Sequence, residues 1–262
     1  MARRIPRVLS IAGSDSGGGA GIQADLKAFA ACGVHGMTAI TAITAQNTVG
    51  VSAVHPVPPE VIVEQVKQVA EDIGVDAVKI GMLGDTQTID AVIEALGQVG
   101  EAPVVLDPVM VAESGAVLLD EAARDALRER LLPLTHVVTP NLPEARVLAQ
   151  DEGEAEDLAR AIHALGPKYV VITGGHRGEA TDVFFDGARL VEIPGERHPD
   201  GAAHGSGCTH SSALAAHLAR GADPLEAARR AKDVAARAVR DGLRDLGEGA
   251  GPVDAIGIIG SP

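Results

Sequence analysis

The chain has 262 residues, a length that suits one large α/β domain. Hydrophobic residues make up 46% of it and aromatic residues only 2%, so a sizeable core must consist mainly of aliphatic side chains. The 22 Lys and Arg residues against 36 Asp and Glu residues leave a net charge of −14, which argues against binding to nucleic acid or to an anionic membrane. Cys32 and Cys208 lie in different motifs and predict no disulfide framework, and no secretion signal or membrane span is predicted, so we expect a cytoplasmic protein.

The predicted elements alternate between strand and helix along most of the chain. Apolar runs predict strands at 8–12, 37–45, 51–57, 76–80, 104–106, 136–139 and 169–173. Helical spacing of apolar residues and helix-start residues predict helices at 22–31, 58–72, 86–99, 120–132, 154–165 and 224–243. A hairpin is predicted at 182–193, because Asp186-Gly187 favours a tight turn between two apolar runs. This order predicts a mainly parallel sheet with helices on both faces, in a single domain over residues 1–262.

Polar or glycine-rich residues follow several of the predicted strands. Ligands of such sheets bind outside the carboxyl ends of the strands, so a site is expected where these stretches meet. The stretches are 13–21, Gln46-Asn47, Gly81-Met82, Asp107-Pro108, 141–144 and Gly174-Gly175.

The glycine-rich loop 13–21 superficially resembles a dinucleotide-binding fingerprint. Such a site needs an acidic residue near the end of the second strand, and residues 42–47 contain none. A Gly-Lys-Ser/Thr sequence, which a phosphate-binding P-loop requires, is absent from the whole sequence. We therefore expect the glycines to let a small ligand approach the backbone closely.

The stretch Gly205-Ser206-Gly207-Cys208-Thr209 precedes a predicted helix rich in Ala and Leu. Glycines allow backbone N–H groups to point inward, and the start of a helix adds unpaired donors and the positive end of its dipole. This combination predicts an anion site, most often for phosphate. The alternative is a turn before a core helix, with Cys208 as a buried structural residue.

Taken together, the motifs resemble those of the hydroxymethylpyrimidine kinase/phosphomethylpyrimidine kinase family of thiamine biosynthesis. The resemblance implies a ribokinase-like three-layer α/β/α sandwich with a mainly parallel sheet and a small β-hairpin. It also implies ATP-dependent phosphorylation of 4-amino-5-hydroxymethyl-2-methylpyrimidine and then of its monophosphate, with Mg²⁺, in a homodimer. The motifs that carry it are residues 12–27, 44–48, 79–83, 106–110, 139–145, 174–176 and 204–209.

The resemblance assigns the catalytic role to the last of these motifs. Backbone donors of Gly205, Gly207 and Cys208 are expected to hold the transferring phosphoryl group. Cys208 lies where most sugar-kinase relatives carry an aspartate base, and a thiol at a helix start can have a lowered pKa, so a thiolate base is expected. The alternative is that Cys208 only packs and that water or phosphate takes the proton.

For the pyrimidine, Gln46 is the main candidate, since a carboxamide offers a donor and an acceptor to an amino group beside a ring nitrogen. The alternative is an ordinary polar residue at the end of a strand. By resemblance, the same ligand is expected to contact Gly13, Ala20, Asp25, Met82 and Val109.

For Mg²⁺ and ATP, the resemblance implies a second group of residues. Asn141 and Glu144, three positions apart, are expected to hold the metal with Asp107, although they also suit an ordinary helix start. Contacts to ATP are expected from Thr173, Gly175, Ser206 and Lys232.

This chain departs from the family pattern at three positions. Thr173 stands where a lysine is frequent, Ser206 where Thr is usual, and His210 where an apolar residue is usual. His176, Arg177 and Lys232 are the candidates to replace the missing cation. Two alternative functions remain open at this stage: a pyridoxal or pyridoxine kinase of the same fold, and a pyrimidine-binding regulatory module without catalysis.

Overall fold

The computed structural model describes residues 4–112, 115, 117–176, 180–199 and 201–258. Its centre is one nine-stranded sheet in the order β3-β2-β1-β4-β5-β6-β7-β8-β9. The strands are β1 (Arg7–Asp15), β2 (His35–Gln46), β3 (Val51–Pro56), β4 (Ala77–Ile80), β5 (Val104–Leu106), β6 (Val137–Val138), β7 (Tyr169–Ile172), β8 (Asp182–Phe185) and β9 (Leu190–Ile193).

Neighbouring strands from β2 to β7 are parallel, whereas β3 at one edge and β8 and β9 at the other are antiparallel to their neighbours. The predicted mainly parallel sheet and the hairpin are therefore confirmed. Because the six central strands run the same way, their carboxyl ends open on one edge of the sheet, where ligands of such folds bind.

Helices cover both faces of the sheet and complete the expected three layers. They are α1 (Gly21–Ala31), α2 (Pro59–Asp72), α3 (Thr86–Leu96), α4 (Glu121–Ala126), α5 (Leu142–Ala149), α6 (Ala155–His163), α7 (Ser206–Ala219) and α8 (Pro224–Arg240). Side chains of α1, α7 and α8 pack in one apolar cluster, and those of α2 to α6 pack in the other. None of the described helices is long and apolar enough to cross a membrane.

Alternate residues of the central strands enter these two clusters. In β5, for example, Val104 and Leu106 join the cluster of α2 to α6, whereas Val105 joins the cluster of α1, α7 and α8. Both faces are thus buried, which explains why the central strands are continuous apolar runs without polar alternation.

Three elements differ from the sequence prediction. β1 continues to Asp15, because Ser14 and Asp15 still pair with β2 after a register shift at Gly13, so the first part of the expected glycine loop is strand. The helix α5 was not predicted as an element, because it spans only eight residues and contains Pro143 in its first turn. The helix predicted to end at residue 132 begins as α4, and it continues as a π-helical turn and a 3₁₀ turn to Leu134.

Candidate active site

A cavity of about 470 Å³ lies at the carboxyl edge of the parallel strands, where the first turn of α7 faces them. With the exception of Asp25, every residue that the sequence analysis assigned to the site lies in the wall of this cavity. These residues are Gly13, Ala20, Gln46, Met82, Asp107, Val109, Asn141, Glu144, Thr173, Gly175, Gly205, Ser206, Gly207, Cys208 and Lys232. The structure brings them together, and their individual roles remain predictions.

The turn before α7 has the geometry that was predicted for an anion site. Gly205 is in the left-handed region with φ of 86°, and no side chain caps the helix that starts at Ser206. Within the described chain, the N–H groups of Gly205, Gly207 and Cys208 have no acceptor, whereas that of Ser206 donates to the Ala203 carbonyl over 3.0 Å. Three backbone donors and the positive end of the helix dipole are therefore available to an anion.

Asp15 and His204 connect this turn, through polar contacts, to the glycine loop that follows β1. One Asp15 oxygen, Oδ2, accepts hydrogen bonds from Gly19 N (3.0 Å) and Ala20 N (2.8 Å), and His204 Nε2 lies 3.1 Å from the same oxygen. Burial opposes ionisation of Asp15, but the bonds from His204, Ala20 and Gly17 outweigh burial and hold its pKa below the usual range. Sequence reasoning gave neither residue a role, although both lie within quoted motifs.

The charge state of Cys208 differs from the expectation. Although part of Cys208 faces the cavity, burial raises the pKa of the thiol to about 12, and the opposing charge of Lys79 offsets this only partly. The prediction of a lowered pKa is wrong for the ligand-free protein, because desolvation outweighs the effect of the helix start. Cys208 therefore carries its proton at neutral pH before any ligand binds.

Asp25 was expected to contact the pyrimidine, and the ligand-free structure gives this prediction no support. Its side chain is fully buried outside the cavity wall and binds Lys79 Nζ over 2.8 and 3.0 Å. Ser10 Oγ and Ser212 Oγ also donate to it over 2.6 and 2.7 Å. Lys79, by contrast, belongs to the cavity wall. A lysine within the apolar strand β4 was the sequence signal for this pair, and it was missed.

Asp107 and Glu144 are two carboxyl groups in the wall of the cavity, the first buried and the second half-buried. Burial, together with the negative charge of Asp107, raises the pKa of Glu144 to about 8; burial also raises the pKa of Asp107, against the opposing charge of Lys79. Asn141 and Glu144 form a capping box at the start of α5, with bonds of 2.9 and 3.0 Å. The helix-start alternative is thus correct as local structure, and Glu144 Oε2 is the oxygen that takes part in this box.

Around Thr173, the opposite wall of the cavity carries a charged cluster. Asp182 on β8 accepts hydrogen bonds from Gly174 N (2.7 Å) and Lys232 Nζ (2.5 Å). His210 Nε2 lies 3.2 Å from Asp182 Oδ2 without hydrogen-bond geometry, and within the described chain neither ring nitrogen of His210 has a hydrogen-bond partner. The ammonium of Lys232 thus lies beside residue 174, next to the position of the missing lysine. Arg177 lies outside the described residues, and of His176 only the backbone is described.

Gln46 and Met82 also line the cavity, and they give it a polar and an apolar surface. Thr44 Oγ1 donates to the Ser14 carbonyl over 2.8 Å and lies 3.1 Å from the Gln46 carboxamide, and Ser16 holds the backbone of Gln46 with bonds of 2.7 and 2.8 Å in both directions. The methyl group of Met82 lies over Gly13, where a Cβ would displace it. The Gln46 side chain is thus placed by Thr44 and by the two backbone bonds to Ser16.

Comparison with known proteins identifies relatives along nearly the whole chain. The family described as phosphomethylpyrimidine kinase matches residues 15–254. A hydroxymethylpyrimidine/phosphomethylpyrimidine kinase of Rhizobium meliloti is 52% identical over 94% of this chain and 95% of its own length. The thiamine biosynthesis bifunctional protein ThiED of Geobacter sulfurreducens is 48% identical over 97% of this chain, which spans only 54% of that protein.

Several solved structures have the same fold as this chain. The pyridoxal kinase of Bacillus subtilis, solved as an ADP complex, has a TM-score of 0.89 and 38% identity, over 98% of this chain and 100% of the other. A phosphomethylpyrimidine kinase of Clostridium difficile has a TM-score of 0.77 and 42% identity, over 88% and 97% of the two chains.

Proposed function

Since this chain belongs to the phosphomethylpyrimidine kinase family, we propose that it phosphorylates 4-amino-5-hydroxymethyl-2-methylpyrimidine with ATP and then phosphorylates the monophosphate again. The observation that carries this proposal is a single cavity in which the free N–H groups of Gly205, Gly207 and Cys208 face the same space as Gln46. One end of the cavity is therefore suited to an anion and the other to a polar ring.

In this proposal the protein acts mainly by positioning and by charge. The transferred phosphoryl group passes through a loose transition state, which needs little covalent help. The three free N–H groups bind its oxygens, and one such donor contributes about 3 kcal/mol to a transition state. Cys208 is the candidate base for the hydroxymethyl proton, and it must first release its own proton, because the thiol is neutral in the ligand-free protein.

Magnesium fits the chemistry of the cavity floor. Burial raises the pKa of both Asp107 and Glu144, so an approaching cation would stabilise the ionised form of each. We propose that Asp107, Glu144 and Asn141 hold Mg²⁺, which neutralises charge on the ATP phosphates when bound. The described residues contain no cluster of three acidic, His or Cys side chains that would hold a metal by protein ligands alone, so phosphate and water must complete the shell.

For ATP, the proposed contacts are the charged cluster and the adjoining backbone: Thr173, Gly175, Ser206 and Lys232. Lys232 supplies the point charge that the family pattern places at residue 173. Its Nζ is held by Asp182, and only 11% of its side chain is exposed, so its position is defined before ATP binds.

Lys232→Met is expected to raise the KM for ATP roughly 10- to 100-fold, since a hydrogen bond to a charged group contributes about 1.5–3 kcal/mol. The increase should shrink as salt is raised, because screening weakens the wild-type interaction. Adding Thr173→Lys to this variant is expected to restore part of the affinity. Arg229→Met, on an exposed position of the same helix, is the matched control and should leave the KM unchanged. An unchanged KM in Lys232→Met would remove this residue from the ATP site.

Gln46→Ala is expected to weaken pyrimidine binding by ~1–3 kcal/mol, because ring donors and acceptors would lose their partners. Nucleotide affinity should stay the same, since Gln46 is not among the proposed ATP contacts. Calorimetric titration of each ligand into both proteins measures the two effects separately. Equal pyrimidine affinity in the variant and the wild type would contradict the assignment.

Pyridoxal phosphorylation is the second candidate function, and it is favoured by the high structural similarity to the pyridoxal kinase of Bacillus subtilis. Side-by-side measurement of ATP-dependent product formation from the pyrimidine, its monophosphate and pyridoxal separates the two. Phosphorylation of the monophosphate supports the proposed function, whereas product from pyridoxal alone supports the second candidate. No product from any of the three would support a regulatory module.

We also propose a cytoplasmic homodimer of one-domain chains. The support is the family resemblance together with the exposed edge strand β3, on which Val54 is about half exposed. Sedimentation velocity at micromolar concentration tests the oligomeric state, and a monomer would contradict the proposal.

A further inference from the structure

A fully buried ion pair lies beneath the anion turn. Lys79 on β4 and Asp25 on α1 have no exposed side-chain surface, and Lys79 Nζ binds both oxygens of Asp25 over 2.8 and 3.0 Å. Ser10 and Ser212 donate further hydrogen bonds to Asp25, so its four acceptor contacts are satisfied within the protein.

The location of the pair connects it to Cys208. Ser212, which binds Asp25, is one helical turn after Cys208 on α7, so the two side chains lie on the same face of that helix. The lysine belongs to the cavity wall, and Gly81 leaves room for its ammonium, because a Cβ there would lie 2.9 Å from Nζ. The ionisable groups that face Cys208 are Lys79 from β4, Asp25 from α1 and Asp107 after β5, and the Gly21 N–H also points to the thiol.

Stability alone does not account for this pair. Removing two charges from water is expensive, and replacement of a buried ion pair by packed apolar residues is often neutral or stabilising. A buried cation at the wall of a cavity that receives anions, however, attracts negative charge through a medium that screens poorly. The ammonium of Lys79 is held in place by Asp25 and needs no movement to act.

We propose that Lys79 is a positioning residue for phosphoryl transfer: its ammonium, anchored by Asp25, favours negative charge on the Cys208 sulphur and at the anion turn above it. The proposal rests on the proposed kinase function. It assigns opposite electrostatic effects to the two partners, since Lys79 favours a thiolate and Asp25 disfavours it. A merely structural role would give both partners the same effect.

Alkylation of Cys208 by iodoacetamide tests this directly, because only the thiolate reacts. The rate is measured between pH 8 and 10 in ligand-free protein, and the peptide that contains Cys208 is quantified by mass spectrometry apart from the one that contains Cys32. Lys79→Met is expected to slow alkylation of Cys208 about tenfold or more, which corresponds to one unit of thiol pKa, and Asp25→Asn is expected to accelerate it. Ser10→Ala is the matched control, because it removes one hydrogen bond to Asp25 without changing any charge.

Kinetics supply a second readout. Lys79→Met is expected to lower kcat about tenfold or more while the affinity for the pyrimidine stays the same, since the hydrogen bonds of Lys79 and Asp25 do not involve Gln46. If either single variant fails to fold, the neutral double variant Lys79→Met/Asp25→Asn replaces it, and alkylation and kcat are expected below the wild-type values because Lys79 has the larger effect on the thiol.

Three results would overturn the proposal: shifts of the same sign in the two single variants, unchanged alkylation in Lys79→Met, or wild-type alkylation and kcat in the double variant. These outcomes are independent of the proposed function, because alkylation is measured without substrates. A wild-type protein that fails to phosphorylate the pyrimidine would refute the function and leave the alkylation result standing.

Discussion

Cys208→Ala is expected to lower kcat by about 10²–10⁴, the usual contribution of a positioned general base, while the fold and ATP binding are retained. The side chain that is removed is small and partly exposed in the cavity, so its loss creates little buried void. The backbone N–H of residue 208 remains in place, which keeps the anion turn complete. Single-turnover kinetics together with calorimetric titration of ATP measure the two properties separately.

The pH dependence identifies the role of the thiol. Since the pKa of Cys208 is about 12, the thiolate fraction rises about tenfold per pH unit through the neutral and mildly alkaline range, and kcat should rise with it. Glu144, with a pKa of about 8, contributes its own rise near that value. Cys208→Asp is the matched control: a carboxylate base is already ionised, so this variant should keep turnover and show only the rise due to Glu144. Near-normal turnover in Cys208→Ala would show that the thiol is dispensable.

Gly205→Ala is expected to destroy the site and to destabilise the fold. The residue has φ of 86°, a conformation that costs an L-residue roughly 1–2 kcal/mol, and the added Cβ would collide with the carbonyl oxygen of Gly19. The turn must then move, and loss of even one donor lowers kcat about 10²–10³-fold. Urea denaturation measures the free energy of unfolding, and steady-state kinetics measure kcat.

Gly207→Ala is the matched control for this variant, since the two positions differ in backbone conformation. Gly207 is not in the left-handed region, and the nearest atom to an added Cβ is Asp107 Oδ2 at 3.9 Å. The free energy of unfolding should therefore be retained or increased, as Ala favours a helix over Gly by roughly 0.5–1 kcal/mol. A Gly205→Ala protein as stable as Gly207→Ala would contradict the assignment of strain to residue 205.

Much of the fold could be predicted because its strands are buried on both faces. A run such as Val104-Val105-Leu106 can only be a central strand when turn residues flank it on each side, and the order of strands and helices then sets the parallel sheet. The element that was missed, α5, has eight residues and begins with a proline in its first turn, so its apolar periodicity is too short to detect. Its capping residues, Asn141 and Glu144, were noticed as metal ligands, with an ordinary helix start as the alternative.

The site was predicted in position but only partly in chemistry. Loops that follow parallel strands must meet at one edge, so residues as far apart as Gln46 and Lys232 could be assigned to one cavity. The direction of the pKa shift of Cys208 could not, because it depends on how completely protein surrounds the sulphur. The Asp25–Lys79 ion pair could not be predicted for a related reason: both side chains are fully buried and only Lys79 belongs to the cavity wall, which depends on the packed tertiary structure.

The contact between Asp15 and His204 restricts the substitutions that this chain tolerates. The imidazole of His204 occupies the space into which a Cβ on Gly19 would project, and Asp15 binds both partners. A side chain at position 19 would therefore require a smaller residue at position 204, and that smaller residue would leave Asp15 short of a donor. Substitutions at positions 15, 19 and 204 therefore depend on one another, although 189 residues separate the first from the last. Among homologues they are expected to be kept or exchanged as a set, and a chimaera that joins the first half of one homologue to the second half of another would break that set at its centre.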